Sequence, residues 1–385
     1  MKVLLIAPSN DSYGVAESLM TLVLGLKESG LAEPVVLTKK QNKINQRCDE
    51  ANIENHSFWY ADFMAGAAYS NPFMRAVKHA VKYALYLYGN ITKSLVFRCG
   101  IDFDKIDIVH TCHNRNDMGA YIAKKKGIPH VWHIREFGEE DYNAKYYKKN
   151  CIEYMNNNTD AFIAISHAVA KKWENKGIDS SKMHVVYNGV DSNKFCPDNH
   201  EKTEPIRVVI SSRVQPSKGQ LQLVQAVAAM DDISRKKILV DIIGDAYSDY
   251  KALLEAEIKN HHLEDIVTLK GHCNSLADII KCYDIGVVCS KAEAFGRVTA
   301  EYMMAGLAVI ASDTGANKEL LKDGVEGLIY QYGDIHSLKE KLTYLCHDLD
   351  LISQMGIKGR TCAVKKYDMV QYTEKVYDVY NNVIA

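Results

Sequence analysis

The sequence predicts an α/β protein made of two doubly wound parallel sheets. Three observations lead there. Short apolar runs alternate with longer amphipathic stretches, the pattern of strands covered by helices on both faces. The series occurs twice along 385 residues, a length that suits two cores better than one. Between the two series lies "DSNKFCPDNHEKTEPI", residues 191–206, which is polar, carries two prolines and reads as a linker.

Taken in order, the first series runs Val3–Ala7, Pro34–Leu37, Ile106–His110, His130–His133, Ala161–Ile165 and His184–Tyr187. The second runs Arg207–Ser211, Leu239–Gly244, Ile266–Leu269, Ile285–Cys289, Ala308–Ser312 and Gly327–Tyr330. Each run is rich in residues that favour strands and is bounded by turn formers. Ligands of such sheets bind beyond the carboxyl ends of the strands, so two such domains place the expected site in the cleft between them. The expected boundaries are 1–195 for the first domain, 196–365 for the second and 366–385 for a closing helix. In that helix Val370, Tyr377 and Val379 recur at near-helical spacing.

Composition narrows the class. Hydrophobic residues make up 47% and charged residues 25%, ordinary for a globular protein. A net charge of −1 provides no global basic field for nucleic acid. Ten cysteines are scattered without a C-x-x-C pair and read as free thiols of a reducing cytoplasm. The opening "MKVLLIAPSNDSYG" has too short an apolar run for a secretory leader and reads as the first strand. No stretch approaches the roughly 20 apolar residues of a membrane span.

Chemistry concentrates in "SKAEAFGRVTAE", Ser290–Glu301. Glu293 falls in the loop after the Ile285–Cys289 strand. A helix of good formers begins near Gly296 and carries Glu301 in its first turns, so both carboxylates can face one ligand. The helix start offers unpaired N–H groups suited to phosphate, and Gly296 lets that backbone come close. Two glutamates at one spacing are common, and by themselves read as solvated acids. Upstream, "ISSRVQPSKGQ" places Arg213 and Lys218 between a strand and a helix beginning near Gly219, a plausible diphosphate clamp or a solvated basic loop. "IIGDA" puts Gly244 at another strand end.

Together "EAFGRVTAE", "SRVQPSKG", "VVYNGVD" and the closing "GLIY" resemble glycosyltransferase family 4, whose signature is E-x7-E and whose fold is GT-B. The resemblance covers essentially the whole chain. It implies two Rossmann-like domains facing a cleft, the first for the acceptor and the second for a nucleotide sugar, with the last helix returning to the first domain. It implies that Glu293 and the backbone of Phe295, Gly296 and Arg297, with Val298 beside them, hold the donor sugar. Glu301 is implied to bind the ribose, and Arg213 and Lys218 the diphosphate. Gly271, His272 and Cys273 are implied to lie near the base, Gly14 near the phosphates, and His133 near the reacting carbon. The chain departs from the family in having Ser212 before Arg213, only Gly14 in the first loop, and "GANKE" at residues 315–319.

Other features are weighed separately. His110 and His130 open or close strands and read as structural. The Asp102–Asp104 and Asp348–Asp350 pairs read as solvated, so no metal is expected. No G-x-G-x-x-G follows the first strand, which argues against a nicotinamide enzyme. Residues Phe63–Ile101 contain no acid. On a helix, Met74, Val77, Val81, Ala84, Leu85 and Tyr88 share one face beside a stripe of Arg75, Lys78 and Lys82. This reads either as a buried helix with a solvated basic edge or as an interfacial helix that meets anionic lipid.

The expected activity is retaining, metal-independent transfer of a sugar from a nucleotide-diphosphate sugar to an acceptor hydroxyl, in polysaccharide or glycolipid biosynthesis. The acceptor would be a sugar or lipid-linked sugar, the location cytoplasmic or peripheral at the inner membrane face, with no separate cofactor. A nucleotide-sugar epimerase of the same fold and a non-catalytic nucleotide-sugar-binding protein are the alternatives.

Overall fold

The computed structural model of the chain describes residues 1–8, 13–65, 72–138, 145–197, 202–273 and 275–385. They divide into two compact units. Unit 1 comprises Met1–Gly189 with Met369–Ala385, and unit 2 comprises Val190–Asp368.

Unit 1 contains β1 (Lys2–Ile6), β2 (Glu33–Thr38), β3 (Glu54–Ser57), β4 (Met64–Ala65), β5 (Ile108–Thr111), β6 (His130–Ile134), β7 (Lys145–Tyr146), β8 (Ala161–Ala164) and β9 (Met183–Val185). Seven of these form one parallel sheet in the order β3-β2-β1-β5-β6-β8-β9, while β4 and β7 pair antiparallel. The strand β1 is buried between two neighbours, with Leu4 opposite Val35 on one side and Val109 on the other. Its successive side chains enter two core clusters, Val3 and Leu5 one and Leu4 and Ile6 the other, so both faces are covered and its sequence is apolar at successive positions rather than alternating. Strand order reverses between β1 and β5, which makes their carboxyl ends a topological switch point.

Unit 2 contains β10 (Ile206–Ser211), β11 (Ile238–Ile243), β12 (Val267–Gly271), β13 (Ile285–Val288), β14 (Ala308–Ser312) and β15 (Leu328–Tyr330). These form a parallel sheet in the order β12-β11-β10-β13-β14-β15, with its switch point between β10 and β13. Both loops singled out in the sequence, after β10 and after β13, leave this point.

All twelve expected strands are present. The added strand β3, "ENHS", is polar and lies at the sheet edge, where it pairs with β2 and its Ser57 hydroxyl meets the Thr38 hydroxyl at 2.7 Å. Residues 191–197 are not a free linker: Phe195 is buried, and its carbonyl accepts from the Arg360 guanidinium at 2.9 Å. Residues 198–201 lie outside the described residues.

The Met369–Ile384 helix packs within unit 1 against the Tyr13–Glu28 helix. Its buried residues are Tyr372, Thr373, Val376, Val379 and Tyr380. Val370, expected on that face, is exposed.

The Pro72–Thr92 helix overturns the buried-helix reading. Phe73, Met74, Val77, Val81, Leu85, Tyr88 and Ile91 are all exposed, Ile91 to 79%. The helix leans on the body through a narrow strip, where Tyr86 and Gly89 are buried and His79 Nδ1 lies 2.8 Å from the Tyr147 hydroxyl. Tyr86 therefore faces the protein, against the Tyr147 ring. The ends of the acid-free stretch, Phe63 and Ile101, are core residues, and residues 66–71 lie outside the described residues. No helix among the described residues is long and apolar enough to cross a membrane.

Candidate active site

In unit 2 the site is built from three loops at the carboxyl ends of β10, β13 and β14. The first loop is anchored where the Tyr302 hydroxyl meets Ser211, 2.7 Å from its backbone N–H and 2.9 Å from its Oγ. Arg213 follows, exposed, with no side-chain partner among the described residues. A short 3₁₀ turn, Pro216–Lys218, ends at Gly219, which has φ +71° and opens the Gln220–Ala228 helix. A Cβ at Gly219 would lie 2.1 Å from the Cys289 carbonyl oxygen, so only glycine lets this loop pass so close to the end of β13. The Lys291 N–H donates to Ser217 O at 2.9 Å and ties the two loops together.

That close passage brings Lys218 to Glu293. Their Nζ and Oε1 are 2.6 Å apart, and both side chains are largely screened from water. The third loop supports Glu293 from behind. Its carbonyl accepts from Ala316 N–H at 2.8 Å, and a Cβ on Gly315 would lie 2.1 Å from the same oxygen. Gly315 has φ +55°, a conformation that also favours glycine. Sequence reasoning passed over Gly315, noting "GANKE" only as a departure. A glycine in a turn one strand beyond the acidic loop was the available signal.

The helix Arg297–Met304 begins at Gly296, which supplies no capping side chain, so the first-turn N–H groups have no side-chain acceptor at the cap. Phe295 is buried, its ring edge-on to Tyr367 at 6.0 Å. Val298 is half-buried on the first turn. Glu301 is 7% exposed and holds Arg297 Nε at 2.8 Å through Oε1. The Arg297 side chain is thus committed to Glu301. Gly271 is the last residue of edge strand β12, where its carbonyl accepts from Gly244 N–H at 2.8 Å. His272 Nδ1 lies 3.2 Å from Asp245 Oδ2, and Cys273 Sγ bonds the Ser275 carbonyl. Lys218 joins Glu293 and Arg297 joins Glu301, while Gly271, His272 and Cys273 sit two strands away from β10.

In unit 1, Gly14 lies in the first turn of the Tyr13–Glu28 helix after β1, with nothing within 4 Å of where a Cβ would stand. Residues 9–12 of the same motif lie outside the described residues. His133, on β6, is fully buried. Its ring stacks on His110 at 5.3 Å, and its Nδ1 meets both His110 Nε2 and Arg135 Nη2 at 3.2 Å. Burial, with the Arg135 charge beside it, holds His133 well below the usual histidine range, so it is neutral. Its Nε2 has no hydrogen-bond partner among the described residues. Arg135 was not singled out in the sequence. Standing two residues after His133, it shares that residue's side of the chain, a period-two signal that was available.

The remaining candidates have structural work. His130 is satisfied by the Asn158 carbonyl and the Thr111 hydroxyl, both at 2.8 Å. Asp102 pairs with Lys105, Asp104 with Lys126, and Asp348 caps the Leu349–Tyr367 helix. Among the described residues no group of three or more His, Cys, Asp or Glu could hold a metal ion.

Comparison with known proteins converges on one family. Residues 14–194 match the model described as Glycosyltransferase Family 4, and residues 191–361 match that described as Glycosyl transferases group 1. The chain is 25% identical to the Escherichia coli UDP-Gal:alpha-D-GlcNAc-diphosphoundecaprenol alpha-1,3-galactosyltransferase, over 95% of this chain and 96% of that one. It is 26% identical to a 41.2 kDa protein of the cps region of Klebsiella pneumoniae, over 73% and 81% of the two chains. The Anabaena Alr3699/HepE structure in complex with UDP-glucose has the same fold, with a TM-score of 0.77 and 19% identity over 99% of this chain and 100% of that one. Two doubly wound sheets, a basic and acidic pair of loops at a switch point, and two family matches that span nearly the whole chain identify it: the chain belongs to glycosyltransferase family 4, and is a retaining glycosyltransferase of the GT-B fold that uses nucleotide sugars.

Proposed function

We propose that this enzyme transfers a hexosyl group from a UDP-hexose to a hydroxyl of a lipid-linked glycan during surface polysaccharide assembly. The observation that carries the reading is the Lys218–Glu293 pair at the unit 2 switch point, with Arg213 exposed in the same loop as Lys218. Lys218 and Glu293 neutralise each other. A bound diphosphate attracts Lys218 and Arg213, and the Glu293 carboxylate becomes available to a sugar hydroxyl. The cations and the first-turn amides of the Arg297–Met304 helix then stabilise the charge that develops on the departing phosphate. Glu293 orients the sugar, with the backbone of Phe295, Gly296, Arg297 and Val298. Glu301, held by Arg297, takes the ribose hydroxyls, and Gly271, His272 and Cys273 border the base. Gly14 is assigned to the donor phosphates and His133 to the sugar near its reacting carbon. In retaining transfer the acceptor attacks the face that the diphosphate leaves, and the leaving phosphate oxygen takes the acceptor's proton. On this reading residues 1–195 bind acceptor and 196–365 bind donor.

Two features support a lipid-linked acceptor. One is the similarity to the E. coli enzyme named for a diphosphoundecaprenol substrate. The other is the exposed apolar face of the Pro72–Thr92 helix, which carries Arg75, Lys78 and Lys82 and no acid. Such a surface matches the headgroup region of an anionic bilayer.

The test is incubation with UDP-hexoses and a polyprenyl-diphosphate-linked sugar, with and without EDTA. Product with retained anomeric configuration, insensitive to EDTA, is expected. An epimer formed from donor alone would favour the epimerase, and donor binding without turnover would favour the binding protein. A strict need for Mn²⁺ or Mg²⁺ would contradict the cationic-clamp mechanism.

A further inference from the structure

The buried cluster around His133 has a direction that follows from one residue. A guanidinium has only donors and stays protonated. Arg135 Nη2 lies 3.2 Å from His133 Nδ1, so that nitrogen must be an acceptor. His110 Nε2 approaches the same Nδ1 at 3.2 Å and must donate to it. His110 Nδ1 is then bare and accepts from the Tyr380 hydroxyl. Every proton in the chain Tyr380, His110, His133 is thereby assigned, and the one proton of the neutral His133 ring falls on Nε2. That Nε2–H is buried and has no partner among the described residues. Asn114, whose Oδ1 accepts from Arg135 N–H at 3.5 Å, and Asn116 each keep a buried Nδ2 donor without a partner among the described residues. A buried donor left unpaired is costly, so it is retained where a ligand fills it.

The guanidinium is itself held fast. Nε donates to the Cys112 carbonyl at 2.9 Å, Nη1 to Asn188 Oδ1 at 2.6 Å and Nη2 to the Tyr372 hydroxyl at 3.0 Å. It is 4% exposed, and among the described residues no carboxylate pairs with it. Its charge therefore adds to the pull of the His133 N–H on an oxygen lone pair.

We propose that Arg135, with His110 and Tyr380, is a positioning residue that locks His133 as a permanent Nε2–H donor to an acceptor oxygen of the substrate, a sugar hydroxyl or a phosphate oxygen. His133 is then a hydrogen-bond donor and not a general base. The proposal rests on the reading that His133 meets the donor substrate.

The test uses the full-length protein with ¹⁵N-labelled histidine, in which the ring-nitrogen shifts report the tautomer. Loss of one signal set in His133→Gln assigns the residue. In the wild type near neutral pH, His133 should show only the Nε2–H form. An Nδ1–H form or an imidazolium overturns the proposal with no mutation of the network. Arg135→Gln, whose amide can also accept, should give a mixed tautomer and lower kcat roughly tenfold, more than it changes the donor KM. Arg135→Lys, again donor-only, should restore the single tautomer and part of the rate. Arg135→Gln with an unchanged tautomer overturns the lock. The underlying site reading is tested apart from this: wild-type kcat and KM in His133→Leu would remove His133 from the substrate site, whatever its tautomer.

Discussion

Lys218 and Glu293 sit 2.6 Å apart, so mutating one also strands the other. On the proposed reading, Lys218→Ala removes a cation from the diphosphate and leaves Glu293 free to repel it. It should lower kcat/KM by an amount equivalent to about 3 kcal/mol, measured in steady-state transfer assays, and full activity would sink the phosphate assignment. Glu293→Gln should act mainly on kcat. Glu301→Ala, which also releases Arg297, should act mainly on donor KM. Gly315 lets a distinct prediction be made. Ala there meets the Glu293 carbonyl at 2.1 Å and takes an unfavourable φ, so the loop must shift. Gly315→Ala should cost roughly 1–3 kcal/mol of stability by urea titration and raise the donor KM through misplaced Glu293. A variant with unchanged donor KM would detach the third loop from the site.

Two helices behave oppositely although both look amphipathic in sequence. The Met369–Ile384 helix buries Tyr372, Val376, Val379 and Tyr380 in the unit 1 core, at roughly 1.5–3 kcal/mol each. Deleting residues 371–385 should therefore lower the melting temperature sharply or prevent folding of unit 1, and an unchanged melting temperature would refute this packing role. The Pro72–Thr92 helix buries little and exposes Phe73, Val81 and Ile91 to 72%, 55% and 79%. It should bind anionic vesicles reversibly and more weakly at high salt, with each basic residue near the surface worth roughly 1 kcal/mol. Changing Arg75, Lys78 and Lys82 together to Glu should abolish vesicle co-sedimentation while leaving hydrolysis of the soluble donor intact. Failure of the wild type to co-sediment at low salt would remove the membrane role. The apolar spacing was legible in the sequence for both helices. Which face the body covers was not, because periodicity records that a face is apolar and not what meets it.

Across the molecule, burial of histidines makes stability depend on pH. His110, His130 and His133 are neutral in the folded state because desolvation disfavours the cation, and His130 is lowered to about 4. Once unfolded, each would titrate near about 6.5, so below that pH the unfolded chain binds more protons and stability falls as pH falls. The loss should approach about 1.4 kcal/mol per pH unit for each histidine, and for His130 it should level off near its folded value of about 4. Urea titrations between neutral and mildly acid pH check the slope, and His130→Gln should reduce it by about one proton. An unchanged slope in that variant would contradict the buried neutral ring.

What could be read from the chain alone was what local pattern determines. Doubly buried strands advertise themselves as apolar runs, so all twelve expected strands were legible, whereas the polar edge β3 was not. The E-x7-E stretch and the Arg213–Lys218 loop were legible because turn and helix signals put both at strand ends. What depended on tertiary structure was every long-range partner. Lys218 meets Glu293 because β10 and β13 are neighbours at a reversal of strand order, 75 residues apart in sequence. Tyr380 reaches His110 across 270 residues because the last helix folds back onto the first sheet. Side-chain type and spacing are local and were written in the sequence. Proximity between distant segments depends on how whole sheets and helices pack, and only the folded chain decided it.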